Sequence, residues 1–151
     1  MLRRPARIMV VDDEKAFTEM LVLTLREMKE DAVMAFSGKE CLERLAETGI
    51  DVVILDVKMP GMDGIETLRE IKKRYPLVEV IMLTGHGTIE TSVRGMKLGA
   101  FDYLLKPPEF DDLLRKVRAA RSRKDRHEER IRIAENQALL RESRKGGRKP
   151  F

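Results

Sequence analysis

Five polar residues have types and positions that allow them to do chemistry together, because each follows a short apolar run. Asp12 and Asp13 follow "IMVV", Asp56 follows "VVIL", Thr84 follows "VIML" and Lys106 follows "YLL". If the runs are parallel strands, their carboxyl ends open on the same edge of a sheet, where sites of such sheets form. The spacing therefore predicts that all five side chains converge on one crevice.

Three carboxylates in one crevice need a compensating cation. Two carboxylates ~4 Å apart repel each other by about 4 kcal/mol at an effective dielectric constant of about 20. Lys106 supplies one positive charge, and a divalent cation would supply the rest. Oxygen ligands suit Mg²⁺, which takes few protein ligands and keeps several waters. The acids therefore predict a magnesium site.

A carboxylate beside Mg²⁺, with a hydroxyl and an ammonium group nearby, can attack phosphorus and form an aspartyl phosphate. In phosphoryl transfer the protein mainly positions groups and stabilises charge on the phosphoryl oxygens. Asp56 is the candidate nucleophile because it ends the central run ahead of a turn that would keep it exposed. Thr84 and Lys106 are the candidates for stabilising charge.

The elements that must position these residues follow from the alternation of apolar runs with amphipathic stretches. This alternation predicts a parallel sheet with helices packed against it. The second run could instead extend a helix. The predicted strands are Ile8–Val11, Ala32–Ala35, Val52–Leu55, Val80–Leu83 and Tyr103–Leu105.

Five helices are predicted between and after the strands. The apolar stripe of the first comprises Phe17, Leu21, Leu25 and Met28, widened by Val22 and Leu23. Ser37 followed by Glu40 makes a capping box for the second helix. "MPGMDG" supplies the turn before the third. Thr88 caps a fourth helix that stops at Gly99, and a fifth begins after the proline pair of "KPPEF".

Length and composition predict one domain with an appendage. The chain has 151 residues, of which 42% are hydrophobic, enough for one packed core and too few for two ordinary domains. The lone cysteine, Cys41, excludes an internal disulfide framework and is predicted to lie in the core. Since no run has membrane-spanning length and no signal peptide is recognisable, we expect a cytoplasmic protein.

The last thirty-one residues differ from the rest in charge. Residues 121–151 carry 11 Lys and Arg against 5 Asp and Glu. We therefore divide the chain into a domain at 1–120 and a basic, partly helical tail at 121–151 that lacks an output domain. The tail has few aromatic residues, which disfavours nucleic-acid binding. No heptad frame keeps both seam positions apolar from Leu114 to Leu140, which disfavours a coiled coil.

Four sequence segments, in this order and spacing, resemble the receiver domain of two-component response regulators. They are "VVDDE", "VVILDVKMPGMDG", "VIMLTGHG" and "GAFDYLLKPPEF", and the resemblance covers residues 7 to about 120. The sequences of these segments are most similar to those of receivers of sigma-54-dependent activators. The resemblance implies a doubly wound, flavodoxin-like α/β fold with five parallel strands in the order 2-1-3-4-5 and helices on both faces.

The resemblance also implies roles for the acids. Asp56 would accept a phosphoryl group from a sensor histidine kinase or a phosphotransfer protein. Asp13, Asp56 and the backbone carbonyl of Lys58 would bind Mg²⁺, and Asp12 would act through a water molecule. Lys58 and His86, each two residues beyond a site residue, would tune the lifetime of the phosphoryl group.

Further implied roles concern the switch. Thr84 and Lys106 would contact the phosphoryl oxygens, and Tyr103 would change rotamer on activation. The Lys106–Pro107 peptide bond would be cis, a conformation that is nearly confined to bonds before proline. The altered face, built from helix four, strand five and helix five, would bind an output protein or a second copy of the chain.

Two alternatives remain open on the sequence. A phosphatase that uses an aspartyl phosphate often has an acid two residues after the nucleophile to protonate the leaving group. Lys58 occupies that position here, so we do not expect turnover of an external substrate. The chain is either a stand-alone regulator, which its length favours, or a fragment of a longer one, because no ATPase motif or helix-turn-helix follows the domain.

Overall fold

The computed structural model describes residues 4–85 and 89–146. Within these residues, five strands alternate with five helices along the chain. The strands are β1 Arg7–Val11, β2 Asp31–Ala35, β3 Val52–Asp56, β4 Glu79–Thr84 and β5 Asp102–Leu105. The helices are α1 Lys15–Glu27, α2 Gly38–Glu47, α3 Gly64–Arg74, α4 Ile89–Lys97 and α5 Phe110–Gly146.

The five strands form one parallel sheet in the order β2-β1-β3-β4-β5. The predicted fold class and strand order are therefore confirmed, and the second apolar run is a strand and not part of a helix. The strand order reverses between β1 and β3, which lie side by side at the centre of the sheet. Sites of doubly wound sheets form at such a reversal, beyond the carboxyl ends of the strands.

The strand residues alternate between two apolar cores, one on each face of the sheet. Met9, Val53 and Met82 point to the face covered by α2 and α3, while Val10 and Ile54 point to the face covered by α1 and α5. This alternation is the two-residue period of a strand. Because both faces are covered, the strands are apolar at consecutive positions between their ends, as in the sequence runs.

Capping side chains fix where two helices begin. The Ser37 hydroxyl accepts a hydrogen bond from the Glu40 N–H at 3.1 Å, and the Asp63 carboxylate accepts one from the Glu66 N–H at 2.8 Å. The Glu40 carboxylate accepts from the Phe36 N–H, one residue earlier than in a regular capping box. Cys41 is buried in the core, where burial raises the pKa of its thiol to about 12.

The predicted apolar stripe of α1 is wrong for two residues, Met28 and Leu23, which are exposed. Met28 is 44% exposed and Leu23 is 56% exposed. The helix ends at Glu27, and the chain turns away at Lys29, which has a left-handed φ of 66°. Leu23 lies beside the buried face formed by Leu21, Val22 and Leu25 and points away from it. The predicted cap Thr88 lies outside the described residues.

Helix α5 runs without a break past residue 120, where we predicted the tail to begin. Its first turns bury Leu113 and Val117, and Arg121 and Lys124 are also buried. Residues 129–145 are all exposed. We call residues 121–146 of α5 the arm. Across the described ranges, no helix is both long and apolar enough to cross a membrane.

Candidate functional site

The carboxyl ends of four strands bring the five predicted residues to one edge of the sheet. Asp12 and Asp13 follow β1, Asp56 ends β3, Thr84 ends β4 and Lys106 follows β5. A cavity of about 430 Å³ opens there, and its lining includes Asp56, Thr84 and Lys106. We call this edge the apical edge. The convergence predicted from the sequence is therefore present.

The three apical carboxylates lie close enough to share one cation. Asp12, Asp13 and Asp56 each offer an oxygen, and these oxygens all lie within 4.8 Å of one another. Asp12 and Asp56 are buried, whereas Asp13 is exposed. The backbone holds Asp12 in place, since its N–H donates to the Ala35 carbonyl at 3.1 Å and its Oδ1 accepts from the Glu14 N–H at 3.0 Å.

Lys106 is the cation that pairs with these acids. Its Nζ forms an ion pair with Asp12 Oδ2 and lies 3.8 Å from Asp56 Oδ2 and 3.5 Å from Glu14 Oε1. It also lies 4.6 Å from the centre of the Phe17 ring, within the range of a cation–π contact. Burial lowers the pKa of Lys106, but the contacts with Asp12 and Asp56 outweigh it, so the net shift is upward.

The backbone around Lys106 connects it to the strand beside it. The Lys106 N–H donates to the Thr84 carbonyl at 2.8 Å. The Lys106–Pro107 peptide bond is cis, the conformation that the family resemblance implies. The ammonium group and the Thr84 position are thus held by adjacent strands.

Asp56 has a raised pKa because of its surroundings. Burial is the largest cause, and the neighbouring charge of Asp12 adds to it; together they raise the pKa to about 6. Lys106 and the Lys58 N–H lower it, but not enough to cancel the increase. The apical edge therefore holds more negative charge than its own lysine balances.

Two glycines shape the turn after β3, and one of them lies against Asp56. A Cβ on Gly64 would lie 2.1 Å from the Asp56 carbonyl oxygen, and the Gly64 N–H donates to the Val57 carbonyl at 2.9 Å. Gly61 has a φ of 75°, which glycine adopts without strain. Only a residue without a side chain fits against the end of β3 at position 64.

The residues present fit a magnesium ion. The donors are carboxylate oxygens, which Mg²⁺ prefers, and the three carboxylates carry more negative charge than Lys106 balances. Lys58 is exposed, and its N–H interacts with the Asp56 carboxylate. The role of the Lys58 carbonyl as a ligand stays a prediction.

Tyr103 lies on β5 beside Met82 of β4 and is partly buried. Its hydroxyl oxygen is buried and forms no hydrogen bond with the part of the chain that the structure describes. Burial raises the pKa of this hydroxyl. His86 lies outside the described residues, so its proposed effect on lifetime remains a prediction from sequence.

Comparison with known proteins identifies the family. Residues 8–118 match the response regulator receiver domain. The chain belongs to this family. The receiver domain is 41% identical to the crystal structure of a response regulator receiver domain protein from Clostridium thermocellum, with a TM-score of 0.76, over 80% of this chain and 97% of that one.

Two curated relatives are longer proteins. The chain is 42% identical over 106 residues to the transcriptional regulatory protein ZraR of Escherichia coli, covering 70% of this chain and 24% of ZraR. It is 41% identical over 109 residues to a putative response regulator NtrX-like protein of Rickettsia bellii, covering 71% of this chain and 23% of that protein. The chain thus spans about a quarter of the length of these relatives.

Sequence reasoning missed three residues that shape the receiver site. Glu14 and Phe17 surround the Lys106 ammonium group, and Gly64 lies against Asp56. Glu14 continues the "DDE" run and could have been found there. Phe17 was assigned to the core because it fits the apolar stripe of α1, and the sequence pattern does not distinguish packing from a contact with a cation.

Proposed function

We propose that the receiver domain accepts a phosphoryl group on Asp56 from a sensor histidine kinase or a phosphotransfer protein in the cytoplasm. One observation supports this assignment above the others. A carboxylate at the end of the central strand lies beside two further acids and an ammonium group in an open cavity. A nucleophile, a candidate metal site and a charge-stabilising group are thus within reach of one phosphoryl group.

In the proposed reaction, an Asp56 carboxylate oxygen attacks the phosphorus of a phosphohistidine. A phosphorus–oxygen bond forms, and the phosphorus–nitrogen bond breaks with its electron pair moving to the imidazole. Lys106, 3.8 Å from Asp56, balances negative charge on the phosphoryl oxygens, and the Thr84 hydroxyl donates a hydrogen bond to one of them. Asp12 orients Lys106 through their ion pair.

Asp12, Asp13 and Asp56 would hold Mg²⁺, Asp12 through a water molecule, with the Lys58 carbonyl as a further ligand. When bound, this ion would withdraw electron density from the phosphoryl group and neutralise charge that the lysine leaves unbalanced. The carboxylates also exclude an unneutralised phosphoryl donor by repulsion, since two like charges at these distances repel by several kcal/mol. Phosphorylation is therefore expected to require a divalent cation.

Phosphorylation would act on the face formed by α4, β5 and α5. A phosphoryl group on Asp56 favours a Thr84 position close to it, and a ligand shifts a conformational equilibrium when it binds one state better. Tyr103 would then change rotamer. Ile89, Val93 and Leu105 are exposed apolar side chains on this face, which supports binding to an output protein or to a second copy of the chain.

The test is intact-mass measurement after incubation with acetyl phosphate and MgCl₂. We expect the wild-type chain to gain one phosphoryl group, and the Asp56→Asn variant to gain none. Asp51→Asn is the matched control, because it makes the same substitution at the other end of the same strand. Phosphorylation of Asp56→Asn at the wild-type level would exclude the proposal.

We further propose that the chain does not turn over external phosphoesters. The position two residues after Asp56 holds Lys58, which is exposed and cannot protonate a leaving group and then activate water as a carboxyl group does. A small chromogenic phosphoester is the substrate for the assay. Release of many product molecules per chain by the wild type, abolished in Asp56→Asn, would contradict this view.

A further inference from the structure

Two acids lie at the edge of the sheet opposite the phosphoryl site. Asp51 directly precedes β3, and Glu79 begins β4; each is 1% exposed. We call this edge the basal edge and the two residues the basal acid pair. The same two strands end at Asp56 and Thr84. Each of these strands therefore has a buried acid at one end and a residue of the phosphoryl site at the other.

Asp51 is held by four donors. Both terminal nitrogens of Arg4 donate to its carboxylate at 2.9 Å, and the Arg7 N–H donates to it at 2.9 Å. Lys124 Nζ of the arm lies 3.1 Å from Asp51 Oδ1. Burial raises the pKa of Asp51, but these contacts outweigh it and lower the pKa to about 2. Asp51 is therefore a stable anion.

Glu79 is held from two sides. Arg123 Nε of the arm lies 2.6 Å from Glu79 Oε2, and Lys72 Nζ of α3 lies 3.3 Å from Oε1. The Arg123 guanidinium also lies 5.3 Å from the centre of the Phe101 ring. A buried carboxylate costs several kcal/mol unless it is paired, and the arm supplies part of that pairing.

A third arm residue contacts the N-terminal segment. Arg121 Nη1 donates to the Arg4 carbonyl at 2.6 Å, and Arg4 is itself bound to Asp51. Lys124 additionally contacts Glu128 of the next helical turn at 2.5 Å. One turn of α5 thus contacts the basal edge through three basic side chains. That turn lacks the large apolar residues that pack the preceding turns of α5 against the sheet.

We propose that the basal acid pair is a docking site for a basic helical turn, occupied in this chain by Arg123 and Lys124 of its own arm, with Arg121 adding a contact to the neighbouring Arg4 carbonyl. The docked turn extends the fixed part of α5 beyond the apolar core and sets the direction in which the arm leaves the domain. Residues 129–145, which follow the docked turn, are all exposed. A solvated helical end is marginally stable, so the docked turn supports the exposed helix that continues beyond it to Gly146.

The alternative is that α5 continues through its own helix propensity and that the basic residues pair incidentally. The two cases differ when the acids are removed. Under docking, loss of the pair frees the turn at 121–124 and the helix frays back to Ala120, the last apolar residue of the core. Under the alternative, the arm keeps its helix and its direction.

Amide hydrogen exchange of the full chain separates the two cases. In the Asp51→Asn/Glu79→Gln variant we expect amides of residues 121–128 to exchange at least about tenfold faster than in the wild type, a loss of about 1.4 kcal/mol of local stability. They should still exchange faster than the amides of Leu113 and Val117, whose change reports the loss of global stability. Asp56→Asn, the same change at the apical end of β3, should leave 121–128 unchanged. Wild-type exchange at 121–128 in the double variant would overturn the proposal.

The arm side of the contact provides an independent test that leaves the core acids in place. Arg123→Met/Lys124→Met keeps the apolar stems and removes the charges. Spin labels on Lys73→Cys and Leu140→Cys report the direction of the arm, since both positions are exposed and the native Cys41 is buried. We expect a narrow distance distribution in the otherwise wild-type chain and a broad one in the methionine variant. Equal widths would overturn the proposal.

Discussion

The two ends of strand β3 carry the same residue type in opposite electrostatic situations. Asp51 precedes the strand and Asp56 ends it, and both are buried. At the basal end, contacts with Arg4, Arg7 and Lys124 lower the pKa of Asp51 to about 2. At the apical end, burial and the Asp12 carboxylate raise the pKa of Asp56 to about 6.

The balance of charge explains the difference. The basal acid pair is matched by basic side chains from the N-terminal segment, α3 and the arm. The apical edge gathers three carboxylates around Lys106. A satisfied acid stabilises the fold, whereas an acid with too little positive charge around it can bind a cation and react. The contrast separates a structural end of the sheet from a reactive one.

The largest effect on stability is expected at the basal end. Asp51→Asn removes a buried anion from the exposed Arg4 side chain, the Arg7 N–H and the buried Lys124, and breaking a buried ion pair costs about 3–5 kcal/mol. Since Lys124 retains Glu128 as a partner, we expect a loss of about 2–4 kcal/mol in the free energy of unfolding, measured by urea denaturation. Asp56→Asn is the control, and an equal loss in both variants would remove the contrast between the two ends.

Lowering the pH should reduce the contribution of Asp51 to stability over a defined pH range. The folded-state pKa of Asp51, about 2, lies below its ordinary value of 3.8, so its contribution is complete above about pH 4 and is lost as pH falls toward 2. A shift of this size corresponds to roughly 2 kcal/mol.

The measurement for this second prediction is the difference in unfolding free energy between wild type and Asp51→Asn as a function of pH. The difference should shrink below about pH 4, because Asp51 of the unfolded wild-type chain then takes up a proton while the folded carboxylate stays charged until about pH 2. Other acids titrate in both proteins and largely cancel. A difference that stays constant from neutral pH to pH 2 would show that Arg4 and Lys124 do not stabilise the charged form of Asp51.

Removing an apical acid should raise the free energy of unfolding, whereas removing Asp51 lowers it. Without a divalent cation, Asp56→Asn relieves repulsion from Asp12 and Asp13, and we expect a gain of about 1 kcal/mol in unfolding free energy. Mg²⁺ at about ten times its dissociation constant should stabilise the wild type by roughly 1.4 kcal/mol, and the variant by less. Thermal denaturation with MgCl₂ or with EDTA measures both. Equal magnesium stabilisation of the two proteins would place the ion elsewhere.

The apical end was predictable from sequence, whereas the basal end was not. Apolar runs followed directly by Asp12, Asp56 and Lys106 indicate strand ends, and parallel strands put their carboxyl ends on one edge. Asp51 and Glu79 precede or begin their runs, and their partners Arg4, Arg123 and Lys124 are distant in sequence. A buried ion pair has no periodicity that would indicate it.

The extent of α5 was missed for the same physical reason. The apolar stripe stops at Ala120, but the contacts continue through Arg121, Arg123 and Lys124, which are charged. Helical periodicity detects faces that are buried by apolar side chains. It cannot detect a turn that is held by ion pairs, because a docked basic turn and a solvent-exposed basic turn show the same sequence pattern.

The smallest expected effect is at Glu14, an exposed acid. It tests whether an ion pair must be buried to contribute to the free energy of unfolding. Glu14 Oε1 lies 3.5 Å from Lys106 Nζ, but the Glu14 side chain is 66% exposed. An exposed ion pair contributes about 0–1 kcal/mol, because water and salt screen it. Glu14→Gln should therefore change the free energy of unfolding by less than about 0.5 kcal/mol. Lys106 keeps its charge partners Asp12 and Asp56 in that variant, so its position should not change. A loss comparable to that of Asp51→Asn in the same urea titration would mean that proximity to a lysine, and not burial, separates structural acids from solvated ones in this domain.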